Sequence, residues 1–490
     1  MNLKILYITL GILSTELLAA QNQTMEMSLE QVVKIARLES PDAQTARHSF
    51  RSAYWNYKYY RANYLPSLSL SSDPNLNRAI NKITMGDGSV KFVEQNLLNT
   101  DLTLNLSQNI PWTGGSLFLE TSAQRMDLFS EHKYSWQTSP IMIGYRQSLF
   151  GYNSLKWDKR IEPVRYQEAK KSYVETLELV SANAINKFFA LATAQSNYDI
   201  ASFNYANADT LYRYAQGRYN IGTITENEML QLELNRLTEE TNRMNARIEM
   251  DNCMQELRSY LGIQEEREIR VRVSSRIPDF SINLNEALAL AYENSPDIQT
   301  MKRRKLESES AVARARANAG LKADIYLRFG LTQTADKLPE AYRNLLDQQY
   351  VSLSISLPIL DWGRGKGQVR VARSNRDLVY TQVEQNRTDF ELNVRKLVKQ
   401  FNLQTQRVRI AARTDETAQR RNEVARKLYI LGKSTILDLN ASIAEKDSAR
   451  RNYVSALYNY WSLYYTLRSM TLYDFERNTL LTEDYNLLIE

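Results

Sequence analysis

The sequence contains very little cysteine and histidine. Its 490 residues include one cysteine, Cys253, and two histidines, His48 and His132. A single cysteine cannot form an internal disulfide bond. Because these three residues lie in separate segments, they also argue against a zinc site or a Cys/His nucleophilic pair. We therefore expect no metal, no cofactor and no catalytic residues, and the sequence does not predict an enzyme.

The sequence also lacks a strong charge of one sign and a long apolar run beyond its first residues. The 62 basic and 56 acidic residues leave a formal charge of +6, so polyanions are attracted only weakly and no nucleic-acid partner is expected. No apolar run of about 18 residues follows the N-terminus, so no transmembrane helix is predicted. Residues 1–20 have the pattern of a signal peptide, with Lys4 before an apolar stretch and a small-residue cleavage site ending at Ala20. The protein is therefore predicted to be exported.

Proline and glycine are scarce, and the tracts without proline indicate long helices. The chain has only 10 prolines and 16 glycines, and no proline occurs within 164–277 or after residue 358. Such tracts are typical of uninterrupted helices. We predict two long helical hairpins, at 151–262 and 361–472, each with a glycine turn between its arms. The outgoing arms would be roughly 90 Å long at 1.5 Å per residue.

The sequence contains an internal duplication. The capping box at 28–31 precedes Ser-Pro-Asp at 40–42, and the related caps at 283–286 and Ser-Pro-Asp at 295–297 follow at the same offset. The chain therefore consists of two copies of one structural repeat. We assign the helices of the first repeat to 21–65, a linker to 263–280, the helices of the second repeat to 281–323 and a C-terminal tail to 473–490. The tail either wraps around the protein or is disordered.

Between the helices of each repeat, the hydrophobic period changes to two. Large apolar residues alternate with smaller or polar residues in segments of 66–150 and again in 324–360. This alternation fits a sandwich with one face towards water, and it equally fits a membrane barrel that is apolar towards lipid. The second repeat supplies only two long strands. Because a closed membrane barrel needs at least eight, several chains must pool their strands.

The first repeat carries an extra hairpin near 101–123. Predicted strands at 101–110 and 116–123 flank the turn Pro111-Trp-Thr-Gly-Gly115, and the second repeat has no equivalent. Two additional strands preserve the up-and-down order of a barrel. The hairpin either enlarges the barrel or lies beside it, and our hypothesis is an accessory hairpin near the barrel.

The turns of the two helical hairpins share one pattern, in which a tyrosine precedes a glycine by three residues and an acid follows it by six. The two copies are Tyr219, Gly222 and Glu228, and Tyr429, Gly432 and Asp438. Along the arms, large residues recur at three-four spacing, which predicts coiled-coil packing. The acids either line the mouth of a tube or cap their own helices.

This plan resembles the TolC-type outer membrane efflux family of Gram-negative bacteria. The resemblance is carried by the duplicated order of elements, Ser-Pro-Asp at 40–42 and 295–297, Ile359-Leu-Asp-Trp-Gly363 at a strand exit, and Tyr429-Ile-Leu-Gly432 with Asp438-Leu-Asn440. It implies a mixed α+β membrane protein with a duplicated repeat of long coiled-coil helices and β-strands. As a homotrimer, the chains would form an outer-membrane β-barrel and a periplasmic α-helical tunnel. Each chain of the family gives four barrel strands, which implies twelve in the trimer.

The resemblance also implies a function without catalysis. The protein would be the passive exit duct of a tripartite efflux or type I secretion system, located in the outer membrane and extending into the periplasm. Its partners would be outer-membrane lipid, a periplasmic adaptor (membrane fusion) protein and an inner-membrane transporter of the RND or ABC type. The competing interpretation is an exported coiled-coil structural or adhesive protein without a channel, which needs neither the alternating strands nor the duplication.

The resemblance assigns the periplasmic aperture to Asp438, Glu228 and Tyr429, and the helix-tip turns for adaptor docking to Gly222, Gly432 and Ser434. Ser434 stands where the family type case has an arginine, and Ala441 stands where it has a second aspartate. These departures put an arginine latch in question. Three copies of each acid around one axis would favour cations and raise some of their pKa values through like-charge repulsion.

Overall fold

The computed structural model describes residues 25–265, 267–431 and 433–489, and the predicted signal peptide lies outside the described residues. The helices within these ranges are α1 (Leu29–Glu39), α2 (Pro41–Ala62), α3 (Ser154–Asn220), α4 (Glu226–Leu261), α5 (Leu284–Asn294), α6 (Pro296–Ala319), α7 (Arg364–Ile430) and α8 (Ile436–Thr471). The strands are β1 (Met25–Ser28), β2 (Ser67–Ser71), β3 (Asn75–Thr84), β4 (Val90–Ile110), β5 (Gly115–Leu128), β6 (Lys133–Ser148), β7 (Ile269–Arg272), β8 (Lys322–Ala335), β9 (Leu346–Ser356), β10 (Tyr473–Asp474) and β11 (Thr479–Leu480).

The described chain divides into two compact units. The helical unit comprises residues up to 51, residues 169–298 and residues from 387 onward. The sheet unit comprises residues 52–168 and 299–386 and contains the large sheet. Among the described helices, none has a stretch that is both long and apolar enough to cross a membrane.

The helices repeat in length and in the way they begin. Both α3 and α7 have 67 residues, and both α4 and α8 have 36, so the arms are roughly 100 Å and 54 Å long. Ser28 and Gln31 form the predicted capping box at the start of α1. The side chain of Asn283 accepts N–H groups in the first turn of α5. The predicted mixed α+β fold with a duplicated plan is confirmed.

The large sheet is antiparallel, with the strand order β2-β4-β5-β6-β8-β9 and with β3 paired to β4. Ser71 pairs with Thr103 and Asn75 pairs with Asn99, so β2 and β3 follow β4 in one register across the break at 72–74. Our sequence reasoning missed β3 and the first half of β4. Both strands of the extra hairpin near 101–123 lie inside this sheet, between β2 and β6.

A buried ion cluster lies in the core of the helical unit. Glu178 of α3 is fully buried and accepts N–H groups from Arg468 of α8 at 2.8 and 3.2 Å and from Arg37 of α1. Arg468 also donates to Asp474 at 3.0 Å, and Arg37 donates to Glu483 at 2.7 Å. A buried carboxylate is stable only when it is paired. The cluster therefore fixes α1, α3, α8 and the C-terminal tail in one arrangement.

The C-terminal tail packs against the helical unit. The hydroxyl of Tyr464 donates to Asp474 at 2.6 Å, and Arg51 donates to the carbonyl of Leu488. The rings of Phe50 and Tyr485 lie 5.2 Å apart between centroids. The tail thus joins α2 and α8 through its own hydrogen bonds and ring contacts.

We expect Glu178→Ala to destabilise the helical unit by about 3–5 kcal/mol, because it removes the buried carboxylate that two half-buried guanidinium groups share. The measurement is chemical or thermal unfolding of the purified protein in detergent. The matched control is Glu256→Ala, which removes the exposed Lys187–Glu256 pair (2.9 Å) and should cost less than about 1 kcal/mol. Similar small losses in both variants would contradict the role of the cluster.

Candidate functional site at the helix tips

The first helix tip is a glycine turn between α3 and α4. Gly222 has φ +77°, its N–H donates to the carbonyl of Tyr219 at 2.9 Å, and the N–H of Thr223 donates to the carbonyl of Arg218 at 2.9 Å. These two bonds define a Schellman motif, in which the left-handed residue is usually glycine. The second tip has the equivalent bond from the N–H of Lys433 to the carbonyl of Leu428 at 2.9 Å. Both outgoing helices thus end with this hydrogen bond to the carbonyl five residues earlier.

A capping box opens the returning helix at both tips. The hydroxyl of Thr225 accepts the N–H of Glu228 at 3.3 Å, and Glu228 accepts the N–H of Thr225 at 3.0 Å. Thr435 and Asp438 exchange the same two bonds at 3.2 and 3.3 Å. Both acids therefore satisfy N–H groups at a helix start, where the macrodipole favours negative charge.

Asp438 accepts further hydrogen bonds from its neighbours. The hydroxyls of Thr435 and Ser434 donate to it at 2.7 and 3.3 Å. The bonds from Thr435, supported by Ser434 and by the charge of Arg421, hold the pKa of the Asp438 carboxyl below its ordinary value. Within one chain, the cap thus acts against the upward shift that we expected from like-charge repulsion in a trimer. Because the folded pKa is the lower one, Asp438 stabilises the tip above the unfolded-state pKa, and this contribution is lost as pH falls through the folded value.

The predicted site residues fall into two separate groups. Gly222 and Glu228 belong to the first tip, and Ser434 and Asp438 belong to the second; both acids are exposed and Ser434 is half-buried. Each hydrogen bond described for Glu228 or Asp438 joins it to its own tip. Gly432 and the side chain of Tyr429 lie outside the described residues.

Near the second tip, the seam between α7 and α8 becomes polar, and our sequence reasoning missed this change. Phe401 is buried in the apolar part of the seam, whereas the positions two and three heptads further are Asp415 and Asn422, which are also buried. Asn422 donates to Ser442 at 3.0 Å, and Arg450 donates to Asp415 at 3.2 Å. The sequence does contain a signal for this change, because Asp415 and Asn422 continue the seven-residue spacing of Phe401 along α7. Because water competes for hydrogen bonds, this end of the hairpin separates more easily than an apolar seam.

In the first hairpin, arginines of α4 pack against tyrosines of α3 along the seam between the two helices. On α3, the residues at three-four spacing alternate between tyrosine and alanine, and Ala208 and Ala215 are buried there. The tyrosine faces are covered by arginines of α4, in the pairs Tyr198–Arg247 at 5.6 Å, Tyr205–Arg243 at 4.1 Å and Tyr212–Arg236 at 5.5 Å from guanidinium to ring centroid. These cation–π contacts supply cohesion where the sequence offers few aliphatic residues.

Comparison with known proteins identifies the fold. The Campylobacter jejuni outer membrane channel CmeC superimposes with a TM-score of 0.66 at 16% identity, over 94% of this chain and 88% of that chain. VceC, an outer membrane protein of Vibrio cholerae, gives 0.63 at 14% identity over 90% and 95%. The open state of the Neisseria gonorrhoeae channel MtrE gives 0.51 at 15% identity over 93% and 90%. The architecture is that of outer membrane channels.

A family match adds to this likeness of fold. Residues 287–471, from α5 to the last residue of α8, match the family described as outer membrane efflux protein. No curated relative matches the sequence. The second repeat thus matches the outer membrane efflux protein family, and the predicted resemblance to TolC-type outer membrane efflux proteins is confirmed by this match and by the fold.

We expect Gly222→Ala to loosen the first tip, because an L-residue at positive φ is strained by about 1 kcal/mol or more even though an added Cβ would meet open space. Gly217→Ala is the matched control, since that site is helical and equally open, and alanine should stabilise it by about 0.5–1 kcal/mol. Hydrogen exchange of the amides at 218–225 should accelerate in the first variant and slow in the second. Equal exchange in both would contradict the assignment.

Proposed function

We propose that this protein is the trimeric exit duct of a tripartite efflux or type I secretion system. Three chains would form one passage from the periplasm to the exterior, and substrates would move through it without chemical change. The family match of the second repeat and the channel-like fold of the whole chain support this function.

The observation that carries the trimer is a row of exposed apolar residues at heptad spacing on α4. The row consists of Leu230, Leu234, Leu237, Met244 and Ile248, and each of these side chains is exposed in a single chain. A second exposed row on α7 contains Leu403, Ile410 and Val424, spaced by multiples of seven. Rows with this period are the contact surfaces of coiled coils. In our proposal, α4 of one chain packs against α7 of the next and the ring closes after three.

The sheet unit supports the outer-membrane part of the proposal. Its strands carry exposed large apolar residues at alternate positions, for example Leu104 and Leu106 on β4 and Leu353 and Ile355 on β9. Such a surface would be unfavourable in water and is the expected face of a strand in lipid. An adhesive coiled-coil protein has no use for this surface.

The helix tips are the proposed gate and docking surface. Asp438, Glu228 and Tyr429 would line the periplasmic aperture, and the turns at Gly222, Gly432 and Ser434 would receive the periplasmic adaptor. An inner-membrane transporter of the RND or ABC type would supply substrate. The polar seam at Asp415 and Asn422 supports opening at this end, because its hydrogen bonds exchange with water at little net cost.

The function is tested by cell fractionation and by deletion of the gene. We expect the protein in the outer-membrane fraction as a trimer that dissociates only on heating before gel electrophoresis. The deletion strain should accumulate or become sensitive to the exported compound. A soluble monomer would contradict the duct and favour the adhesive alternative.

We predict that Met244→Asp weakens the trimer, because it places a charge within the exposed row of α4. Asn245→Asp is the matched control, since it adds the same charge one residue away on an exposed helix position. The measurement is the temperature at which the detergent-solubilised trimer dissociates on a gel. A lower temperature is expected for the first variant alone, and equal effects would argue against the row as a contact surface.

We predict that Asp438→Ala combined with Glu228→Ala reduces the cation selectivity of single channels in planar bilayers, because it removes a ring of carboxylates from the aperture. Glu226→Ala is the control, as this acid does not take part in the capping box. Since the cap lowers the Asp438 pKa, its contribution to selectivity should persist as pH falls to the ordinary carboxyl range, and Thr435→Ala should move the loss to higher pH. Unchanged selectivity and conductance would reject the pore assignment.

A further inference from the structure

The sheet contains more strands than the family resemblance implies. Six strands lie side by side in the order β2-β4-β5-β6-β8-β9, whereas four per chain would make a twelve-stranded barrel. The two additional positions belong to β4 and β5, which pair with each other over 14 residue positions from Leu97–Leu128 to Ile110–Gly115. A hairpin of this length, paired on both sides, is an integral part of the sheet.

A row of exposed apolar side chains runs along one face of the sheet across all six strands. Register partners form a row across five strands, in the order Leu68, Leu106, Leu119, Ile143 and Phe329. All five side chains are exposed. On the sixth strand, Val351 is the partner of Leu327 and continues the same face. Because side chains alternate between the faces of a strand, β4 and β5 present their apolar residues where β6, β8 and β9 present theirs.

On the opposite face of the sheet, side chains of β5 contact side chains of β8, although β6 lies between these two strands. The ring of Phe118 on β5 stacks on that of Tyr326 on β8 with centroids 5.9 Å apart, and Glu120 on β5 pairs with Arg328 on β8 at 3.5 Å. Both contacts pass over β6, where a Cβ at Gly144 would overlap the Phe118 ring. The glycine therefore makes room for contacts between β5 and β8. An accessory hairpin beside the sheet would not form them.

The two outer edges of the sheet run in opposite directions. Successive neighbours are antiparallel, so with six strands β2 and β9 point in opposite senses. Within the described sheet unit, β2 and β9 each have a pairing partner on one side only. Open strand edges are not tolerated in lipid. The β9 edge of one chain is therefore suited to pair antiparallel with the β2 edge of a second copy.

We propose that three copies of this chain close an eighteen-stranded barrel in which β4 and β5 are part of the wall. This proposal rests on the trimer proposed above, with six strands from each of three chains. For strands about 4.8 Å apart and tilted by about 40°, eighteen strands give a backbone diameter of about 36 Å, against about 24 Å for twelve. The outlet in the outer membrane is then wide, so the size of the molecules that pass would be limited at the helix tips instead.

The proposal is tested by asking which strands face lipid. Cys253→Ala gives a cysteine-free background, because the chain has one cysteine. Single cysteines at Leu104 on β4 and Leu119 on β5 are labelled with bimane in the full-length protein, reconstituted with phosphatidylcholine brominated on its acyl chains. Ile143→Cys on β6 is the reference for a wall strand. Asn105→Cys, on the polar face of β4, is the matched control for its neighbour Leu104.

We expect brominated lipid to quench the labels at 104 and 119 to the same extent as at 143, and iodide in the buffer to quench the label at 105 instead. Lipid quenching at 143 without quenching at 104 and 119 would overturn the eighteen-stranded wall and leave the channel intact. Absence of lipid quenching at all sites, 143 included, would overturn the proposed outer-membrane function as well. A cryo-electron microscopy map of the same protein in nanodiscs should show eighteen strands, and twelve would overturn the proposal.

Discussion

A single chain cannot cover its own apolar surface, and this constraint explains most of the structure. The long helices carry heptad rows that remain exposed, such as Leu234 on α4 and Ile410 on α7, while the strands carry apolar residues on one face. Helical rows are buried by other helices, and the strand face is buried by lipid. A protein with both surfaces needs copies of itself around the helices and a membrane around the sheet. The proposed trimer and the proposed membrane insertion of the sheet would thus both answer this one imbalance.

Local features were predictable from the sequence, whereas pairing between distant segments was not. The capping boxes, the glycine tips and the helix lengths follow from neighbouring residues, because helix hydrogen bonds are local. The order of the sheet depends on partners such as Ile143 and Phe329, which lie far apart in the chain. β3 escaped prediction because Asn75–Thr84 does not alternate strictly between apolar and polar residues. The role of Glu178 was equally hidden, since Arg468 is 290 residues away.

The cohesion of the helical unit differs along its length. Around Glu178, a network of ion pairs joins α1, α3, α8 and the tail at once, so these elements can separate only if several of its bonds break together. Near the second tip, Asn422 and Asp415 hold the α7–α8 seam through polar groups that water replaces readily. Motion is therefore favoured at the tips and opposed at the ion cluster. This gradient matches a duct that opens at one end while its remaining packing persists.

The hydrogen bonds of Asp438 at the second tip restrict which contacts could hold the proposed aperture closed. Asp438 already accepts bonds from the hydroxyls of Ser434 and Thr435 and from the N–H of Thr435, so its carboxylate is satisfied within its own turn. Ser434 is neutral, and a latch in which residue 434 contributes the positive charge is therefore not available to this chain. The low pKa of Asp438 keeps the acid charged at neutral pH. A ring of such acids would act through its field on passing ions, while closure would depend on packing between the hairpins.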